Sequence, residues 1–193
     1  MRTFKILTLN NIAEQGLERF PGDRYKVGVD LTEPDAILLR SYRLHDMQLP
    51  GSLLGVGRAG VGVNNIPVDA LSERGVPVFN APGANANAVK ELVIGAILMS
   101  ARNIGDAWNY VRALQGTDAD VAKAVEAGKK QFVGFELPSR VLGVVGLGAI
   151  GVEVANAALA LGMRVVGYDP KLTVRRAWQL SSGVEQAENL DQV

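Results

Sequence analysis

The chain has 193 residues, 48% hydrophobic and 21% charged, a globular composition with enough length for one or two buried cores. Lys plus Arg (20) balance Asp plus Glu (20), which excludes a net basic field able to hold nucleic acid or an anionic membrane and leaves small molecules or protein as partners. There is no Cys and one His, His45, so disulfides, thiolate chemistry and a multi-histidine zinc site are excluded, and any imidazole acid–base chemistry falls to a single residue.

The N-terminus runs through only four apolar-leaning residues, Ile6 to Leu9, before Asn10-Asn11, which predicts a strand from Lys5 to Leu9 and no secretory leader. A helix is expected near Ile12 to Phe20 and a strand over Tyr25 to Val29. Another strand follows the Pro34-Asp35 turn, over Ala36 to Leu39. A strand at Leu53 to Val56 then leads into the loop Gly57-Arg58-Ala59-Gly60-Val61-Gly62. After it come a helix over Val68 to Arg74 and, beyond Gly75, a strand over Val76 to Phe79. Alternating strands and helices are the pattern of a parallel sheet with crossovers, so residues 1–84 read as one α/β domain.

The turn-rich Asn80-Ala81-Pro82-Gly83-Ala84-Asn85 opens an almost uncharged helical stretch, Ala86 to Arg102, expected as a long buried helix at a domain junction. Residues 106–130 read as a solvated amphipathic helix pair, with Thr117 or Asp118 as an N-cap and Gly128 as a C-terminal stop. Lys129-Lys130 in that region fits a solubilising pair. The apolar stretches near 92–99 and 154–163 fall short of the roughly 20 residues that cross a bilayer. The expectation is a soluble, cytoplasmic protein.

Val141 to Val145 is an apolar run suited to a central parallel strand, and it enters Gly146-Leu147-Gly148-Ala149-Ile150-Gly151, the GxGxxG spacing. Gly146 permits the tight turn, Gly148 lets the backbone approach a diphosphate, and Gly151 lets the next helix pack close. The helix, about Ala149 to Leu161, aims its N-terminal amides at phosphate and ends at Gly162. A second strand, Met163 to Tyr168, delivers Asp169, 23 residues after Gly146 and followed by Pro170. An acid there accepts hydrogen bonds from the adenosine ribose and repels a 2′-phosphate, which favours NAD over NADP. Arg175 and Arg176 leave NADP open. A structural glycine turn without a nucleotide is the other reading of the loop.

With these residues in register, the chain resembles the D-isomer-specific 2-hydroxyacid dehydrogenases, and within them most nearly the members that oxidise 3-phosphoglycerate. The resemblance rests on Gly57 to Ile66, on Val78 to Asn85, on Val89-Lys90-Glu91-Leu92 and on the glycine loop, and is clearest from Ile37 to Asp169. It implies a flavodoxin-like substrate-binding domain over 1–84 and an NAD-binding Rossmann domain over 85–193, the latter expected to be truncated after its first β-α-β unit. Val61 and Gly62 match the loop beneath substrate and nicotinamide, where backbone N–H groups can converge on a carboxylate. Arg40 and Ser41 match positions at the substrate's phosphate end, although a strand-end surface charge explains Arg40 equally simply. Asn85 matches a cleft asparagine, or is an Asx turn or N-cap. Arg58 is an anion contact or a salt bridge holding its loop.

Asn64 stands where many members carry Asp, and Phe132 where Trp is common, with similar packing expected. The implied activity is NAD-dependent oxidation of 3-phosphoglycerate to 3-phosphohydroxypyruvate in serine biosynthesis by a homo-oligomer. Another 2-hydroxyacid substrate, or a non-catalytic NAD-sensing or corepressor-like role, remains an alternative. The family's catalytic His, acid and Arg are expected beyond Val193, so no catalytic residue is assigned within these residues. His45 beside Asp46 is not expected to serve as the base.

Overall fold

The computed structural model describes residues 2–193 and divides into two units, Met1–Ala84 and Asn85–Val193. In the first, β1 (Phe4–Leu9), α1 (Glu14–Leu17), β2 (Tyr25–Gly28), β3 (Ala36–Leu39), β4 (Gly55–Arg58), α2 (Val68–Glu73) and β5 (Val78–Asn80) form an all-parallel sheet in the order β2-β1-β3-β4-β5. This is the flavodoxin-like order. Strand residues alternate across the sheet, so Leu7, Ile37 and Val56 share one row. They build a core with Leu39, Leu44 and Leu71, the last three fully buried.

Three expected boundaries shift. The helix near 12–20 contracts to α1, since Gly16 lies inside it and Phe20-Pro21 forbids continuation. The strand at 53–56 moves to 55–58, because Leu54 N–H donates to Asp35 O (2.7 Å) and ladder pairing starts only at Ala36 opposite Gly55. The strand at 76–79 moves to 78–80 because Val76 serves the preceding helix. Its N–H reaches Leu71 O (2.9 Å) while Gly75, at φ +68°, donates to Ser72 O (2.9 Å). That pair of bonds is a Schellman cap, with Val76 and Leu71 both in the core.

The second unit begins with α3 (Ala86–Ala101), α4 (Ile104–Ala113) and α5 (Asp118–Gly128). It continues through β6 (Val141–Val145), α6 (Ala149–Ala160), β7 (Arg164–Tyr168), α7 (Val174–Ala177) and β8 (Val184–Gln186). The last three strands form a parallel sheet in the order β6-β7-β8. Its core gathers Val144, Val152, Ala155, Ala158 and Val165 between sheet and α6.

The unit therefore does not stop after one β-α-β: β8 adds a third strand, and α7 and β8 are simply too short to show periodicity in the sequence. β6 pairs with β7 alone among the described residues and leaves Val145 64% exposed, so it is not central in this sheet. Nor is α3 a buried helix. Of its residues only Ala86 and Ala101 are buried, and Leu92 is 74% exposed. Apolarity identified the helix but not what covers it.

Thr117 caps α5 with a reciprocal capping box to Asp120, whose carboxyl is held below its usual range by the Thr117 hydrogen bonds. α5 ends at Gly128 as expected, but in right-handed backbone that passes into a 3₁₀ turn, Lys129–Phe132, and not through a left-handed glycine cap. Phe132 packs 5.2 Å from Tyr110. No helix is long and apolar enough to cross a membrane among the described residues.

Candidate functional site

At the carboxyl end of the second sheet, β6 turns through Gly146, whose φ of +91° favours glycine and whose N–H donates to Tyr168 O (2.8 Å). The turn is thereby joined to β7. Gly151, in the first turn of α6, approaches so closely that a Cβ there would lie within contact radius of the Gly146 carbonyl oxygen. Helix and strand end can meet only with glycine at that position. Gly148 differs, because it is the extended N-cap of α6 and a Cβ there would meet nothing within 4 Å. Among the described residues the N–H groups of Gly148, Ala149 and Ile150 have no acceptor, so three donors and the positive end of a 12-residue helix face that opening.

Asp169 follows β7 and is held on both oxygens. Oδ2 accepts from Leu147 N–H (2.8 Å) and Oδ1 from Lys171 N–H (2.8 Å). A carboxylate offers about four lone-pair sites, so acceptor capacity remains on a group whose direction is already fixed. Beside it opens a cavity of ≈ 450 Å³ lined by Leu147, Asp169, Pro170, Leu172, Leu180 and Ala187, among others. Glu185 on β8, which also lines it, takes a bidentate pair of bonds from Arg164 on β7 (2.6 and 2.6 Å). Those hydrogen bonds hold the Glu185 carboxyl below its usual range and raise the Arg164 guanidinium. Arg176 is committed to Gln179 (2.8 Å).

In the first unit the sheet order changes direction between β1 and β3, and in such folds ligands bind outside the carboxyl ends of the strands at that switch point. Asn10 stands there in left-handed backbone (φ +70°), its Oδ1 accepting from the N–H groups of Ser41 (2.9 Å) and Tyr42 (2.5 Å). Asn65 Nδ2 donates to the carbonyls of Arg40 (3.3 Å) and Tyr42 (2.7 Å), and Arg58 Nε donates to Arg40 O (3.1 Å). The backbone of residues 40–42 is clamped while the Arg40 and Ser41 residues stay exposed. Arg58 thus holds its loop through a carbonyl, not through the salt bridge considered from sequence.

The loop after β4 is pinned just as closely. Ala59 N–H donates to Leu39 O (2.8 Å), Gly60 O accepts from Ala81 N–H (2.9 Å), and Val61 O accepts from Asn80 Nδ2 (2.8 Å). The N–H groups of Val61 and Gly62 have no acceptor among the described residues. Asn85 occupies the N-cap position of α3, but its side chain makes no capping hydrogen bond. His45 lies 3.2 Å through Nε2 from Asn64 O, while Asp46 pairs with Arg43 (3.1 Å). The imidazole and its sequence neighbour do not form a pair.

The structure therefore gathers Arg40, Ser41, Val61 and Gly62 on loops of one unit and Gly146, Gly148, Ala149, Ile150, Gly151, Asp169 and Pro170 in the other. Asn10, Asn65 and Asn80 were not singled out from sequence as site residues. Asn10 and Asn80 each sit at the end of an apolar strand, where a short amide commonly replaces a backbone partner, and that signal could have found them.

Residues 22–189 match the family model of the D-isomer specific 2-hydroxyacid dehydrogenase catalytic domain. A D-3-phosphoglycerate dehydrogenase of Methanocaldococcus jannaschii is 41% identical over 72% of this chain and 24% of its own length. A second, from Archaeoglobus fulgidus, is 34% identical over 91% of this chain and 34% of its own length. Apo D-mandelate dehydrogenase of Rhodotorula graminis superposes with a TM-score of 0.75 at 26% identity, covering 99% of this chain and 62% of that one. The chain thus spans 24% and 34% of those two curated relatives.

Proposed function

This chain belongs to the D-isomer specific 2-hydroxyacid dehydrogenase family, and from that premise we propose that it forms part of an NAD-dependent enzyme oxidising 3-phosphoglycerate to 3-phosphohydroxypyruvate, a step of serine biosynthesis. In this reading the first unit holds the substrate and the second the nucleotide. The observation that carries it is the opening at Gly148, faced by three N–H groups without acceptors and flanked by a carboxylate already oriented by Leu147. A diphosphate and a ribose need that donor set and that acceptor, so the residues fit NAD.

The amides of Gly148, Ala149 and Ile150 hold the diphosphate, with Gly146 and Gly151 giving the turn its shape. Asp169 accepts from the ribose hydroxyls on its remaining lone pairs, and its charge opposes a 2′-phosphate. Pro170 and the cavity beside it, with Leu172 and Leu180 among its lining residues, receive the adenine. When bound, NAD accepts the hydride that leaves C2 of the substrate. Val61 and Gly62 N–H groups clasp the substrate's carboxylate. Arg40 and Ser41 meet its phosphate by charge-assisted bonds. Asn85, its side chain uncommitted to a cap, is assigned to the substrate. Leu92, Met99 and Trp108, exposed on α3 and α4, support assembly with further copies of the chain.

The alternative reading is an NAD-binding sensor without turnover. Turnover of the protein expressed from its gene, with NADH and 3-phosphohydroxypyruvate, glyoxylate or pyruvate, separates the readings. A kcat/KM for the phosphorylated acid about tenfold or more above the others is expected from the Arg40 contact. Equal values overturn the phosphoglycerate assignment, and saturable NADH binding with no turnover supports the sensor.

A further inference from the structure

We infer that Asn80 is a positioning residue: with the backbone of Ala81, it sets the direction of the Val61 and Gly62 N–H groups that receive the substrate's carboxylate. This rests on the substrate role proposed above for that loop. In a trans peptide the carbonyl oxygen and the N–H lie in one plane and point in opposite directions, so holding the first aims the second. β4 and β5 run in parallel with Arg58 opposite Asn80, so the loop leaving β4 passes beside the end of β5. Ala81 N–H takes the Gly60 carbonyl (2.9 Å), whose plane carries the N–H of Val61. Asn80 Nδ2 takes the Val61 carbonyl (2.8 Å), whose plane carries the N–H of Gly62.

Both carbonyls are drawn toward residues 80 and 81, and both N–H groups are turned away from them. Successive planes in an extended chain alternate in direction, so two in the same sense across the Val61 Cα require a restraint. Gly60, at φ +153°, sets how the first of these planes leaves Ala59. Asn80 is the restraint on the second plane, since the Val61 carbonyl has no other donor among the described residues. Two neighbouring N–H groups facing one way make a concavity suited to a single anionic oxygen pair.

The test is an NMR titration of the isotope-labelled chain, wild type, Asn80→Ala and Asn80→Gln, with 3-phosphoglycerate and separately with inorganic phosphate. Asn80→Ala is expected to move the Val61 carbonyl ¹³C resonance upfield and to weaken 3-phosphoglycerate about tenfold or more, the loss of a well-aimed bond to a charged group. Its affinity for inorganic phosphate, held by Arg40 and Ser41, is expected to stay unchanged, and its Tm to stay within about 2 °C. Asn80→Gln keeps a donor and is expected to recover most of the affinity. Unchanged 3-phosphoglycerate affinity in Asn80→Ala, or an equal loss for both ligands, overturns the inference. Failure of the substrate reading looks different: the wild-type Val61 and Gly62 amides then give no saturable response to 3-phosphoglycerate. The Val61 carbonyl shift alone then decides whether Asn80 sets that plane.

Discussion

Replacing Asp169 by Asn separates the two tasks this carboxylate performs. In the native protein it accepts from Leu147 N–H and Lys171 N–H, both at 2.8 Å. An amide offers one oxygen and one NH₂, so it can satisfy only one of the two and turns a donor toward the other. Leu147 is 4% exposed whereas the Lys171 turn is open to water, so the Asn oxygen is expected to face Leu147 and leave Lys171 to solvent. The fold then loses only about 1 kcal/mol, or roughly 2–4 °C in Tm for a chain of this size. The nucleotide loses more. Exchanging a charged for a neutral acceptor at the ribose is worth about 1.5–3 kcal/mol, a loss of about 10- to 100-fold in NADH affinity. NADPH does not fall in parallel, because the charge that opposes its 2′-phosphate is gone, so the ratio of the two Kd values approaches one. Calorimetric titration of wild type and Asp169→Asn with both nucleotides measures this. An unchanged NADH affinity, or equal weakening of NADH and NADPH, refutes the assignment of Asp169.

Gly151→Ala places a Cβ against the Gly146 carbonyl oxygen and is expected to cost about 2 kcal/mol or more while abolishing NADH binding, read from urea unfolding and calorimetry. Leu71→Ala opens a cavity at a fully buried site below the Schellman cap and is expected to cost about 2–5 kcal/mol in the same unfolding assay, without affecting NADH affinity. The Arg164–Glu185 pair gives a pH signature. Because Arg164 hydrogen bonds lower the Glu185 carboxyl from its ordinary value of 4.5, the pair stabilises the fold above that value and is lost as pH falls through the lower folded one. Arg164→Gln should therefore melt below wild type at neutral pH, with the difference closing as pH drops under 4.5, followed by circular dichroism.

What could be read without coordinates was whatever a local rule determines. The parallel α/β class followed from alternating short apolar runs, and the strand, glycine turn and helix from Val141 onward followed from spacing, because each glycine there answers a separate steric demand. Boundaries failed where a residue served a neighbour instead of its own run, as Val76 serves α2 and Leu54 serves Asp35. β8 failed because three residues carry no period. Asp169 stands out by its interval after Gly146, but its bond to Leu147 was not legible, since a carboxylate that orders a loop leaves no mark in spacing. Asn10, Asn65 and Asn80 act by holding backbone carbonyls and amides across 19 to 32 residues, a long-range pairing that composition and periodicity do not encode. The burial of α3 was misjudged for the opposite reason, because its apolar sequence reports a need for cover without saying what supplies it.

The most direct test of the central claim is a titration of the ¹⁵N-labelled chain with NADH, followed at the backbone amides of the glycine loop. The account predicts saturable shifts at Gly148, Ala149 and Ile150, with Asp169 and its neighbours moving in step and NADPH binding more weakly. A folded spectrum in which those amides stay still, or in which NADH moves resonances elsewhere and leaves the glycine loop untouched, contradicts it.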